Sequence, residues 1–211
     1  MPDTATLALF FGSALVLAAM PGPGMFYIAG RTLASERADG FASCMGSALG
    51  GCVHVLAGAV GVSALVMASA TAFTALKFAG GLYLICLGIQ TWRSAAAPTL
   101  AQEGATGPDA SRAFRQGVVV EATNPKMAAF FLAIIPQFID ASRGSVAAQF
   151  VMLGLISVVL NTGMAILVVS AASAMRGRLA GNAHVVRRLR QDSGAILGGL
   201  GVSLLLTRRP A

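Results

Sequence analysis

Charge is scarce in this chain of 211 residues: 11% are charged, and eight acidic side chains stand against 15 basic ones. Soluble domains carry about 25% charged residues, so most of this chain is not built to face water. Histidine occurs only at His54 and His184, with no clustered carboxylates or cysteine pairs nearby, and no metal site is read from the sequence. Cys44, Cys52 and Cys86 all fall in apolar stretches and are odd in number, which argues against a disulfide framework and suits small hydrophobes. There is no nucleotide-binding glycine loop, so ATP-driven chemistry is not encoded. No Gly-x-Ser-x-Gly elbow marks a serine hydrolase, and no basic run interleaved with aromatics marks a nucleic-acid surface. Neither a cofactor nor a nucleic-acid partner is expected. Asp3 and the absence of Lys or Arg before Arg31 are the wrong flank for a cleavable signal peptide, so the first apolar run is read as retained.

What is present is apolar. Hydrophobic residues make up 56% of the chain, with a mean hydropathy of +0.76, which identifies an all-α integral membrane protein. A spanning helix needs about 20 apolar residues, so one transmembrane domain over 1–211 has room for about six. The expected segments are 6–30, 41–70, 73–92, 114–139, 146–174 and a short sixth, 193–206, joined by a charged connector at 31–40 and a flexible cytoplasmic loop at about 94–112. The net charge of +7 points to topology and lipid headgroups. Ten arginines fall in the connectors after segments one, three and five, whereas Lys77, Arg143, Arg208 and Arg209 fall on the other side. By the positive-inside rule those three connectors are cytoplasmic and both termini lie outside.

Segment one is broken by Met20-Pro21-Gly22-Pro23-Gly24. Each proline lacks an N–H and crowds the carbonyl four residues back, which frees the oxygens of Leu17 and Ala19. In hydrocarbon such groups cost several kcal/mol each, so the break belongs inside protein or beside a water-filled cavity. Past Pro23 a half-helix begins with the N–H groups of Gly24, Met25 and Phe26 unspent and a positive dipole end, which suits a carboxylate. The freed carbonyls suit an ammonium, and together the two ends suit a zwitterion such as an amino acid. The plainer alternative is a structural kink relieved by neighbouring helices.

Segment four carries a second break, Glu121-Ala122-Thr123-Asn124-Pro125-Lys126. A charge at the centre of a lone membrane helix costs about 2.5–3.5 kcal/mol, so Glu121 and Lys126 need partners or water. Glu121 and Asn124 share a helix face, whereas Lys126 points about 140° away from Glu121. Because Pro125 crowds the Glu121 carbonyl, a bend is expected there that brings the two charges together; the alternative is that both snorkel into headgroup water. Pro21/Pro23 and Pro125/Pro136 thus open two sets of three segments of opposite direction, an expected 3+3 inverted repeat with Pro-broken helices 1 and 4. In segment two, Gly46, Gly50, His54, Gly58 and Gly61 form one stripe facing protein, a helix-packing surface with a histidine in it. His54 titrates near neutral pH and is a proton-coupling candidate beside Glu121, or a neutral histidine bonded to a neighbouring helix.

These residues resemble the LysE/RhtB family of bacterial amino-acid exporters. The matching pieces are Pro21-Gly22-Pro23 followed by Gly30-Arg31, the Gly46/Gly50/His54 spacing, Ala79-Gly80-Gly81-Leu82-Tyr83-Leu84 with Gly88, and Asn124-Pro125-Lys126 followed by Phe130-Phe131 and Pro136-Gln137-Phe138. The resemblance implies six transmembrane helices in the inner membrane, efflux of amino acids or related small metabolites driven by the proton motive force, and often a homodimer. Two departures stand out: Glu36 replaces an expected glycine, and Glu121 stands where the family often carries an amide. The second either favours a cationic substrate or supplies the proton site in place of His54. The expectation is therefore a secondary active exporter, not an enzyme, with Pro21, Gly22, Pro23, Gly24, Asn124, Pro125 and Lys126 on the substrate path. The rivals are a metal-ion exporter of related fold and a membrane-integral enzyme using Glu121 and His54.

Overall fold

The computed structural model describes residues 2–68, 70–93 and 109–174, with isolated positions between 187 and 206. Of the loop expected at about 94–112, residues 94–108 lie outside the described residues, as do most of segment six and of the connector before it, whereas 110–112 are the first turn of a helix and not loop. The described elements are α1 (Thr4–Ala19), α2 (Pro23–Ala34), α3 (Arg37–Ala68), α4 (Ala70–Arg93), α5 (Ala110–Ala122), α6 (Pro125–Ala129) and α7 (Val146–Ala174). A π-helical turn, Phe130–Ile134, and a 3-10 turn, Ile135–Phe138, follow α6.

Both breaks fall at their prolines. Asp3 caps α1 by accepting from the Thr6 N–H at 2.8 Å, and the helix stops at Ala19 before Pro21. α2 restarts with Pro23 in its first turn, bent by 46° from α1. Asp109 caps α5 by accepting from the Arg112 N–H at 2.9 Å. That helix ends at Ala122, and the Asn124 side chain caps α6 through the Lys126 N–H at 3.0 Å, with a 40° bend between the two parts. The ladder widens to the π form just ahead of Pro136, whose ring would crowd the Leu132 carbonyl of a regular helix.

Among the described residues, two helices have the length and apolarity to cross a membrane alone, 37–62 within α3 and all of α7. Each bent pair passes the same test as one broken span, giving up to four, and α4 contributes the shorter apolar stretch Phe78–Gln90. These account for segments one, two, four and five of the expected six. The outside of the bundle is apolar: Leu9, Val60 and Val159 are each about 70% exposed. The inside holds a phenylalanine cluster, Phe10, Phe130, Phe131 and Phe150, with ring centroids 5.9–6.2 Å apart, and most of the polar residues named below.

The charged connector is a correction. Only Ser35 and Glu36 lie outside helix, because α2 runs on to Ala34 and α3 starts at Arg37. Arg31 and Asp39 are buried rather than solvated, and pair at 3.3 Å. α3 packs tightly against α5 because glycines let backbone meet backbone: a Cβ at Gly46 would strike the Phe114 carbonyl, one at Gly50 the Val118 carbonyl, and one at Gly117 the Ser43 carbonyl. Gly58 lies instead against the Phe150 ring, and Gly61 meets nothing within 4 Å and is exposed. The stripe loses its neighbour there because α5 ends at Ala122, close to His54.

Candidate functional site

The two breaks touch. Lys126, one residue past Pro125, reaches back across the bundle and its Nζ donates to the carbonyls of Leu17 at 3.2 Å and Met20 at 2.9 Å. Its stem lies against Gly22, where a Cβ would come within 3.1 Å of Lys126 Cδ. Pro21 has no N–H to offer the Leu17 carbonyl, which accepts from the Met20 N–H at 3.1 Å instead, so the lysine of one break adds a side-chain donor to the backbone of the other. The expectation is corrected in one detail: Met20 rather than Ala19 supplies the second oxygen, and Ala19 faces outward. The ammonium on these oxygens is the protein's own.

Glu121 sits at the opposite pole of the first break. It is buried, and a Cβ added to Gly24, in the first turn of α2, would run into its Oε2. The positive end of α2 therefore faces a resident carboxylate. Phe26 is not an unspent donor, since its N–H donates to the Gly22 carbonyl at 2.9 Å. Glu121 Oε2 accepts from Asn124 Nδ2 at 3.2 Å, and Oε1 accepts from Asn161 Nδ2 at 3.2 Å. The bend at Pro125 does not join Glu121 to Lys126: the ion pairs among the described residues are Arg31–Asp39, Arg143–Asp3 and Arg143–Asp140. Asn124 lies between the two residues, donating to the Glu121 carboxylate with its amide nitrogen and accepting from the backbone N–H of Lys126 with its oxygen.

His54 bonds to this site through the backbone. Its Nε2 lies 2.9 Å from the Glu121 carbonyl, the oxygen that Pro125 deprives of its helical donor. A carbonyl only accepts, so Nε2 carries the hydrogen in this bond and Nδ1 is the ring nitrogen outside it. The ring also packs 5.6 Å from that of Phe131.

Two groups were missed in the sequence. Asn161 holds the far oxygen of Glu121 from α7, and an amide inside a long apolar helix was the signal that marked it. Tyr27, Arg31 and Asp39 form a polar cluster toward the connector end of α2 and α3. The Tyr27 hydroxyl donates to the Ala113 carbonyl at 3.0 Å, and Asp39 accepts from the Asp109 N–H at 3.2 Å. Their charges read as connector residues because nothing local told which helices would pack around them. Among the described residues, no group of three or more His, Cys, Asp or Glu side chains is placed to hold a metal.

The family model described as LysE type translocator matches residues 15–208. An uncharacterized membrane protein of Vibrio cholerae is 31% identical, over 91% of this chain and 92% of its own length. The homoserine/homoserine lactone efflux protein of Salmonella typhimurium is 35% identical, over 77% of this chain and 80% of its own. The threonine efflux protein of Salmonella typhi is 27% identical, over 96% of this chain and all of its own. No solved structure matches the chain.

Proposed function

The chain belongs to the LysE type translocator family, and from that premise we propose that it exports amino acids or related small zwitterionic metabolites by proton-coupled alternating access. As a translocator it is a membrane transporter and not an enzyme. The observation that carries the proposal is the pair of facing breaks with one buried carboxylate and one buried ammonium that do not pair with each other. Buried charges of opposite sign are costly when left apart. A zwitterion between them neutralises both, its ammonium on Glu121 and its carboxylate on Lys126. The backbone poles of the first break hold these two side chains in place, and the side chains hold the substrate. The relatives named for efflux of homoserine and of threonine support an amino-acid substrate.

Coupling follows from the same carboxylate. Glu121 binds a proton or a substrate ammonium but not both at once, and that exclusion is what proton/amino-acid antiport requires. His54 is the second candidate, through Nδ1. The exporter is placed in the bacterial inner membrane by this reading, as a 3+3 repeat with both termini periplasmic, in contact with lipid and able to pair as a homodimer.

Purified protein in liposomes tests the proposal against labelled homoserine, threonine and leucine, with and without an imposed pH gradient. Saturable flux that depends on the gradient is expected, and in Glu121→Gln the KM for counterflow should rise about 10-fold or more while the flux that remains no longer responds to pH. Flux of no amino acid would overturn the reading; unaltered coupling in Glu121→Gln would move the proton to His54.

A further inference from the structure

Between the break site and the connector end of the molecule, α2, α3 and α5 enclose a seam of polar side chains. Of the buried polar residues, Arg31, Asp39, Ser43 and Ser47 lie along it, and Glu121 and Asn124 stand at its inner end. Tyr27 bars it, bonded to the Ala113 carbonyl at 3.0 Å and to Gln116 Oε1 at 3.3 Å, with Ser43 Oγ 3.4 Å from its hydroxyl. The seam also holds every buried side-chain atom that lacks a hydrogen-bond partner among the described residues: Arg31 Nε, Arg31 Nη2 and Ser47 Oγ. Polar atoms orphaned in a closed seam gain partners when it opens and water or substrate enters.

Arg31 is the most exacting of them. Its side chain is 3% exposed, and Asp39 Oδ2 lies 3.3 Å from Nη2 without hydrogen-bond alignment. The Asp39 oxygen it approaches is already engaged by Ser35 Oγ at 2.5 Å and by the Asp109 N–H at 3.2 Å. A guanidinium fork with Nε and Nη2 unspent is shaped to take a carboxylate through both donors. We propose that the α2/α3/α5 seam is the cytoplasmic way in to the site, and that Arg31 receives the substrate carboxylate there before Lys126 does. Tyr27 is the bar that must swing aside between the two stations. This rests on the exporter reading above, which supplies the zwitterion and the sidedness.

The test uses whole protein in liposomes loaded from the connector side. Whichever of L-homoserine, L-threonine or L-leucine the wild type carries is set beside its ester, the lactone in the case of homoserine, which keeps the ammonium and lacks the free carboxylate. In Arg31→Gln the KM for the acid should rise about 10-fold or more, while half-inhibition by the ester stays within about twofold of wild type. A second variant, Arg31→Gln with Asp39→Asn, removes both charges; it should remain defective, because it restores no carboxylate receptor. Melting curves in detergent confirm that each variant is folded. Recovery of flux in the double variant would make the pair a simple latch and overturn the proposal, as would an equal loss for acid and ester. If the wild type carries no amino acid, the exporter reading itself falls, and this inference with it.

Discussion

Lys126 and Gly24 are where single atoms decide the outcome. Lys126→Met removes two hydrogen bonds; the Leu17 carbonyl keeps the Met20 N–H, whereas the Met20 carbonyl loses its lysine donor. We expect efflux to be lost and stability to fall by about 1–3 kcal/mol for the Met20 oxygen, read from transport and denaturation in parallel. The glycines of the first break should differ sharply. Gly24→Ala pushes a methyl into Glu121 Oε2, which Asn124 pins through that oxygen and Asn161 through Oε1, so transport should fall at least as far as in Asn124→Ala. Gly22→Ala meets the Lys126 side chain at 3.1–3.3 Å, which a shift of a few tenths of an ångström relieves, and should lose less activity than Gly24→Ala. Equal effects at the two glycines would contradict the assignment of Glu121 to the pole of α2. The prolines, Glu121, Asn124 and Lys126 could be read from the sequence because proline and charge are conspicuous in an apolar run. That Lys126 turns to the first break instead of to Glu121 could not, since it depends on which segments pack together. Asn161 stands out as an amide in an apolar helix, but its bond to Glu121 depends on packing in the same way.

Helices pack here through missing side chains. A Cβ at Gly46, Gly50 or Gly117 would strike carbonyl oxygens of the facing helix, and backbone cannot rotate away as a side chain can. Alanine at each of these positions should destabilise by about 1–3 kcal/mol or more, seen as a lower melting temperature, whereas Gly61→Ala should be neutral because nothing lies within 4 Å. A melting temperature for Gly46→Ala equal to wild type would show that α3 and α5 are further apart than described. The stripe itself was legible from 3.6-residue spacing, but its end was not: that depends on where α5 stops, and Pro125 sets that point through a partner helix. The fifth segment was read to its residue bounds, Val146–Ala174, because no proline or charge interrupts it. The connector was misread because Arg31 and Asp39 neutralise one another inside the fold, and sequence position alone makes charged residues look solvated.

At the scale of the whole molecule, the far end from the seam is held by exposed charge. Arg143 bridges Asp3 at 3.3 Å and Asp140 at 3.0 Å. Hydrogen bonds from Thr6 hold the Asp3 carboxyl below its usual value, and those from Ser142 do the same for Asp140, with Arg143 adding to both. A lowered folded pKa means that the stabilisation is present above the ordinary aspartate value of about 4 and is lost as pH falls through the folded value. Melting temperature should therefore not vary with pH through these groups near pH 7, and should drop at acid pH less steeply in Arg143→Ala, where part of the linkage is gone. Topology is the other property of the whole chain: cysteines placed at position 3 or 142 should react with impermeant reagents from outside the cell, and labelling only in inverted vesicles would reverse the orientation. The central claim, that the facing breaks form one site for a zwitterion, is tested most directly by equilibrium binding of a labelled amino acid to purified protein. Wild type should bind saturably, and Lys126→Met and Glu121→Gln should each weaken binding about 10-fold or more while remaining folded. Binding as tight as wild type in both variants would contradict the account.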